Sequence, residues 1–334
     1  MRICRALIAA LVIAIAPAVA CAEVTELKIP LGAGGFGFLP LHMMQKYNLI
    51  EKYAEEAGLK VTVTWSSMGG PAVMNDALLS GSAHFISAGP PAFLTLWDRT
   101  RNNVSVKSIA AISSIPMHLN ARVAQLKALD EITGGQKIGL TAVKVSIPSI
   151  IMQMYAEKKY GRDAVFRFDP STVTMTHPDA LIALTSGNSE IVGHWASAPF
   201  DQRELKDATI RTIMNSDDVM GGSTTFTMMS TTARFQAENP KVTAAVLKAL
   251  KQAQQMIAED KRNAASVLLE SMGGKGWSVD ELVAILDDPS TKYTLRPENV
   301  LKYGTFMNEI GSLKNKPASI SDLFFDTPEV TGGN

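Results

Sequence analysis

A two-lobed α/β fold, each lobe a mainly parallel sheet flanked by helices, is predicted by three features of the sequence. Strand-like and helix-like segments alternate, which favours parallel sheets with helices on both faces. One strand–loop–helix grammar occurs twice: Ile29-Pro30-Leu31-Gly32-Ala33 can be laid on Ile138-Gly139-Leu140-Thr141-Ala142, and Ala77-Leu78-Leu79-Ser80-Gly81 on Ala183-Leu184-Thr185-Ser186-Gly187. The 334 residues, 46% of them hydrophobic, are enough for two domains of roughly 150 residues each.

The chain begins with Arg2 and Arg5, runs apolar from Ala6 to Ala16, and reaches small residues at Ala18, Ala20, Cys21 and Ala22. That order is the order of a secretory signal peptide over residues 1–22, and the apolar run is shorter than the roughly 20 residues of a membrane span. Cleavage before Glu23 at Ala20-Cys21-Ala22 is preferred to a lipoprotein box anchored at Cys21, because Ala18 stands where such a box carries leucine. A periplasmic location is the expectation, with lipid anchoring through Cys21 the alternative. Cys4 is removed in either case, so no disulfide and no cysteine metal site is expected. Cleavage takes two of 32 basic residues against 32 acidic ones. The weakly acidic remainder argues against nucleic acid as a partner.

In the first unit, residues 23–115, a strand at Leu27 to Leu31 enters the loop Gly32-Ala33-Gly34-Gly35-Phe36-Gly37 and a helix over Pro40 to Tyr47. A second strand, Val61 to Trp65, precedes Met68-Gly69-Gly70-Pro71, where proline at a first helical position starts a helix that ends at Gly81. A short strand, His84 to Ser87, leads into Ala88-Gly89-Pro90-Pro91. Residues 116–218 form the second lobe: strand Lys137 to Leu140, loop Thr141 to Val145, a helix from Ser146-Ile147-Pro148, a helix from Pro178, strand Glu190 to Gly193, and the loop His194-Trp195-Ala196-Ser197. Residues 219–334 return to the first lobe with a strand over Thr224 to Ser230, C-terminal helices and a polar tail. Asn239-Pro240 opens a helix whose stripe Val242, Val246, Leu247, Leu250, Ala253, Met256 and Ile257 faces the core.

Ligands of open α/β sheets sit beyond the carboxyl ends of strands, where these loops lie. The glycine loop satisfies G-x-G-x-x-G, but the second strand ends Trp65-Ser66-Ser67, without the acid that a dinucleotide ribose requires. Phe36 and Phe38 are then cleft residues on a flexible loop. The five histidines, His42, His84, His118, His177 and His194, have no metal-ligand spacing, and Gly-x-Ser-x-Gly is absent, so no metal, cofactor or catalytic residue is expected. His194 and Trp195 would offer a hydrogen bond and a ring face, and His118, beside the crossing at Pro116-Met117, is a further contact. Free N–H groups at Gly69-Gly70, Gly89-Pro90 and Ser146-Ile147 suit an anionic or strongly polar head. No arginine falls in these loops.

Taken together, the exported N-terminus, the glycine-rich first loop, Gly69-Gly70, the Ser80-Gly81 helix end, the linker and strand from Leu126 to Leu140, and Ser186-Gly187 through Pro199-Phe200 resemble the nitrate/sulfonate/taurine and thiamine-precursor group of ABC transporter binding proteins. The resemblance implies a type II periplasmic-binding fold: two lobes, two crossings, hinge closure on a small organic solute, and delivery by a monomer to an inner-membrane ABC permease with its ATPase. It places contacts at Gly35, Phe36, Gly37, Met68, Gly69, Gly70, Ala88, Gly89, Val145, Ser146, His194, Trp195 and Ser197. Thr141 to Ser146 departs from the glycine- and serine-rich pattern of relatives, so the head group does not carry over. Two alternatives are a ligand-sensing domain of a membrane receptor and a thiamine-pyrimidine-synthase-like enzyme. The cysteine-rich motif of those enzymes is missing here.

Overall fold

The computed structural model describes residues 22–32, 34–68 and 70–334; the expected signal peptide through Cys21, Ala33 and Gly69 lie outside the described residues. Lobe 1 opens with β1 (Glu26–Pro30), α1 (Leu39–Lys46), α2 (Leu49–Glu56), β2 (Thr62–Ser66), α3 (Pro71–Leu79), β3 (Ile86–Ala88), α4 (Pro90–Thr100) and β4 (Val106–Ser114). Lobe 2 contains β5 (His118–Arg122), β6 (Lys137–Leu140), α5 (Ile147–Tyr160), β7 (Thr172–Thr174), α6 (His177–Ser186), β8 (Ile191–Ala196), α7 (Phe200–Glu204), β9 (Ile210–Asn215) and α8 (Ser216–Met220). The chain returns through β10 (Thr225–Thr232), α9 (Ala233–Glu238), α10 (Pro240–Glu259), α11 (Lys261–Ser271), α12 (Val279–Leu286), α13 (Val300–Glu309) and α14 (Ile320–Leu323).

Lobe 2 carries one sheet in the order β7-β6-β8-β5-β9, in which β5 alone runs against its neighbours. Lobe 1 has the parallel pair β1-β2 and the sheet β3-β10-β4, where β10 is antiparallel to both partners. The pair is tied to the sheet by His84 N–H donating to the Lys28 carbonyl at 2.9 Å. The reversed strands, β5 and β10, are the first strands after each crossing. A strand entering its lobe from the hinge starts at the cleft and runs away from it, whereas the strands that precede helices end there. The crossings are bonded to each other, Met117 N–H to Ser216 Oγ and Ser216 N–H to the Met117 carbonyl, both at 2.9 Å.

Several local expectations change in the fold. Phe36 lies in a tight 3-10 turn over Phe36–Phe38 with no solvent exposure, so it is a core residue and not a cleft residue. Gly35, at φ 81°, explains the turn: a Cβ there would sit 2.8 Å from the Ala198 carbonyl, which instead accepts from Phe36 N–H at 3.1 Å. A Cβ on Gly37 would strike the Phe226 ring. The glycine run therefore serves close packing, against lobe 2 in one case and β10 in the other. β8 continues to Ala196, where a loop after Gly193 was expected, because Leu119 and His118 of β5 pair with Trp195 and Ala196. Asn239 does not cap α10 with its side chain; its Oδ1 accepts from Val24 N–H at 2.8 Å, and its Nδ2 donates back to the Phe235 carbonyl in α9 at 3.0 Å. The tail is more than a surface wrap, since Leu323, Phe324 and Val330 are buried and Phe324 bridges to Ser108.

Candidate functional site

The loops of the two lobes meet at a cavity of about 60 Å³, room for about four water molecules. Gly32, Phe38, Gly70, Met74, Ser87, Gly89 and Phe226 form the lobe 1 wall, Met117 the hinge floor, and Thr141, Val145, Ser146, Ile147 and His177 the lobe 2 wall. No lysine, arginine or acid is among the lining residues. Four helices begin here, each with proline in its first turn: α3 after Gly70, α4 after Gly89, α5 after Ser146 and α6 after Thr176. Proline sets the helical φ without giving up a needed N–H. No side chain caps α3, α4 or α5, so the remaining first-turn N–H groups and the helix dipoles are left to whatever enters the cavity.

Two hydroxyls sharpen this polarity. Ser87 Oγ, in β3 of lobe 1, and Ser146 Oγ, at the start of α5 in lobe 2, are buried without a hydrogen-bond partner, and both residues line the cavity. Buried polar atoms left unpaired are costly, so a pair of them on residues that line one space is a feature that a bound acceptor or donor would relieve. Thr141, His177 and Thr227 add further polar groups, and the apolar part of the wall comes from Phe38, Met74, Met117, Ile147 and Phe226.

Of the expected site residues, the structure brings Gly70, Ala88, Gly89, Val145 and Ser146 to the cavity. Gly35 and Gly37 stand behind it against Ala198 and Phe226, and Met68 packs on the core. His118 is also off the wall: its Nδ1 meets Asp201 Oδ2 at 2.7 Å, and although burial opposes its charge, the bond and charge of Asp201 hold its pKa above the ordinary value. His194 and Trp195, expected at a strand end, lie inside β8 with no exposure, one on each sheet face as the period-two alternation requires. Ser197 is buried too, and reaches His177 Nε2 at 3.3 Å.

Sequence reasoning passed over Ser87 and, on the facing wall, His177. The signal for His177 was local: Thr176-His177-Pro178 repeats the pattern of Ser146-Ile147-Pro148, a polar cap, one residue, and proline, which opens the other lobe 2 helix at the cleft. Behind it, Ser197, His177, His194 and Glu204 follow one another in the order of a nucleophile relay. Glu204, however, is fully buried, and burial above all pushes its pKa up to about 9. An uncharged acid cannot steady an imidazolium, and Ser197 is absent from the cavity wall. Among the described residues no cluster of three or more histidines and acids could hold a metal ion, and no helix is long and apolar enough to cross a membrane.

The model of the NMT1-like family matches residues 36–269. Among solved structures, the alkanesulfonate-binding protein SsuA from Xanthomonas axonopodis pv. citri, bound to MOPS, aligns over 92% of this chain and 100% of its own with a TM-score of 0.69 at 14% identity. The periplasmic aliphatic sulphonate binding protein SsuA from Escherichia coli aligns over 93% and 96%, with a TM-score of 0.64 at 16% identity. The periplasmic nitrate-binding protein NrtA from Synechocystis PCC 6803 aligns over 90% and 84%, with a TM-score of 0.64 at 16% identity. No curated protein matches the sequence. With the family model covering most of the two lobes and these structures sharing their arrangement, the chain belongs to the NMT1-like family and has the periplasmic-binding-protein fold.

Proposed function

We propose that the protein is the periplasmic solute-capturing component of an ABC importer, which closes its lobes over a small organic solute and presents it to a membrane permease. The observation that carries this reading is the cavity itself. It lies between the lobes, next to the bonded crossings, and draws one unpartnered hydroxyl from each lobe, Ser87 and Ser146. A solute that satisfies both must hold the lobes together, which couples binding to closure. The solute class follows from the wall: a compact polar or anionic head for the hydroxyls and the uncapped N–H groups, without a fixed cation, and an apolar remainder against Phe38, Met117 and Phe226. Gly70, Ala88, Gly89, Val145, Ser146 and His177 are the contact residues of this reading, and no turnover is expected.

Thermal-shift screening of the exported protein against nitrate, methanesulfonate, taurine and short carboxylates tests it, since a ligand at 100 times its Kd adds about 2.7 kcal/mol of stability. Calorimetry of the hit should give one site, and Ser87→Ala or Ser146→Ala should each weaken it about tenfold without lowering the melting temperature of the empty protein. Accumulation of product beyond one equivalent would overturn the binding-protein reading.

A further inference from the structure

A line of buried hydrogen bonds runs from the cavity wall into lobe 2 and ends on an acid. His177, in the first turn of α6, has Nε2 at 3.3 Å from Ser197 Oγ and Nδ1 at 2.9 Å from His194 Nε2. His194 Nδ1 is 2.5 Å from Glu204 Oε1, and Glu204 Oε2 accepts from the Asn120 amide at 2.9 Å. The His194 and Glu204 side chains have no exposure. Of the charged groups around Glu204, Asp201 shares its helix and is bonded to His118 on β5; His194 on β8 and His177 on α6 complete the surroundings, and among the described residues no lysine or arginine bonds it.

An ionised Glu204 would thus be a buried carboxylate beside Asp201 with no cation of its own. Burial holds His194 down to about 3 and His177 well below the ordinary histidine value, so all three groups are uncharged near neutral pH. Neutrality sets the direction of every bond. Asn120 occupies Glu204 Oε2, so the acid proton is on Oε1 and is donated to His194 Nδ1; His194 then carries its proton on Nε2 and donates it to His177 Nδ1; His177 is left with its own proton on Nε2, beside Ser197. Removing the acid proton reverses the whole line, with His194 donating to the carboxylate and His177 Nε2 becoming a lone pair.

We propose that Glu204 and His194 are positioning residues that hold His177, which lines the cavity, as the Nε2–H tautomer, so that this ring brings a donor and not a lone pair to the wall and selects a solute bearing a hydrogen-bond acceptor over one offering only donors. The inference rests on the cleft being the solute site and names a determinant of its specificity. Long-range proton–nitrogen spectra of the imidazole rings, recorded on the exported protein from pH 6 to 10, read the tautomers directly. Both rings are Nε2–H at pH 7 and change to Nδ1–H as Glu204 loses its proton near pH 9. In Glu204→Gln the amide donates to His194 and accepts from Asn120, imitating the uncharged acid, so its rings stay Nε2–H throughout. Nδ1–H rings in the wild type at pH 7 overturn the proposal, as does a Glu204→Gln tautomer that differs from the wild type at that pH; the wild-type spectra decide it even if the variant does not fold. Calorimetry with methanesulfonate and nitrate then reads the selection: wild-type affinity falls at least tenfold between pH 7 and 10, and Glu204→Gln affinity does not. Wild-type binding that ignores pH overturns selection by His177, whereas failure of every probe to bind, with the tautomers as expected, counts against the proposed function and not against the relay.

Discussion

Glu204 shows how a single carboxyl sets a pH profile. Its folded pKa is raised above the unfolded value, so the stability associated with its neutral form is present at low pH and is lost as pH rises from about 4.5 toward about 9. His177 and His194 act oppositely: burial depresses both, and their contribution is lost as pH falls below about 6.5. His118, whose pKa is raised, also loses its contribution as pH climbs above its ordinary value. Above pH 6.5, then, Glu204 and His118 both pull stability down, and Glu204→Gln removes one of the two. Denaturant titrations at pH 6.5 and 9 should show the wild type losing on the order of 3 kcal/mol more than the variant. Below about pH 4.5, where Glu204 is protonated in the folded and unfolded chain alike, the two proteins should weaken in parallel as the histidines charge. Equal losses from pH 6.5 to 9 would mean that Glu204 is already ionised in the folded protein at neutral pH.

At the scale of elements, β8 separates what local pattern shows from what pairing decides. Gly193 followed by His194-Trp195-Ala196-Ser197 reads as a strand giving way to a loop, yet β6 pairs on one side as far as His194 and β5 on the other carries the ladder on to Ala196. Strand alternation then sends Trp195 and His194 to opposite, buried faces, neither on the cavity wall. Trp195 is fully buried and its Nε1 has no partner. Trp195→Ala should therefore cost about 3–5 kcal/mol of stability in the empty protein. Its effect on solute affinity, measured below the melting transition, should stay within about threefold, under 1 kcal/mol. Loss of affinity with unchanged stability would return this ring to the cleft. The helix starts at the cleft were better announced, because a cap followed by proline is a local signal that needs no partner strand.

For the molecule as a whole, the lobes are joined at a second place, away from the cavity. Lys206, just past α7, pairs with Glu281 of α12, Arg203 donates to the Gly276 carbonyl, both cations lie over Trp277 at about 5.4–5.5 Å, and Arg162 beyond α5 reaches Glu309 at 3.3 Å. These groups are exposed, and exposed pairs add little to stability, but all join lobe 2 to the C-terminal helices and so act on the balance between open and closed forms. Lys206→Glu sets like charges against Glu281; it should weaken solute binding two- to tenfold, more at low salt than at 0.5 M, and leave the melting temperature of the free protein nearly unchanged. Affinity independent of both the variant and the salt would show that the latch plays no part in closure. By itself the sequence determined the α/β class, the repeated unit, the helix starts and the absence of arginine from the cleft loops, because periodicity, proline and glycine act over a few neighbouring residues. Tertiary structure alone decided that Phe36 and Trp195 belong to the core, that Gly35 and Gly37 are pressed against distant backbone and ring, and that Asn120, His177, His194 and Glu204 form one line. Those four residues come from four elements, brought together by the strand order β7-β6-β8-β5-β9, and burial and hydrogen bonding between distant segments leave no trace in the spacing of residues along the chain.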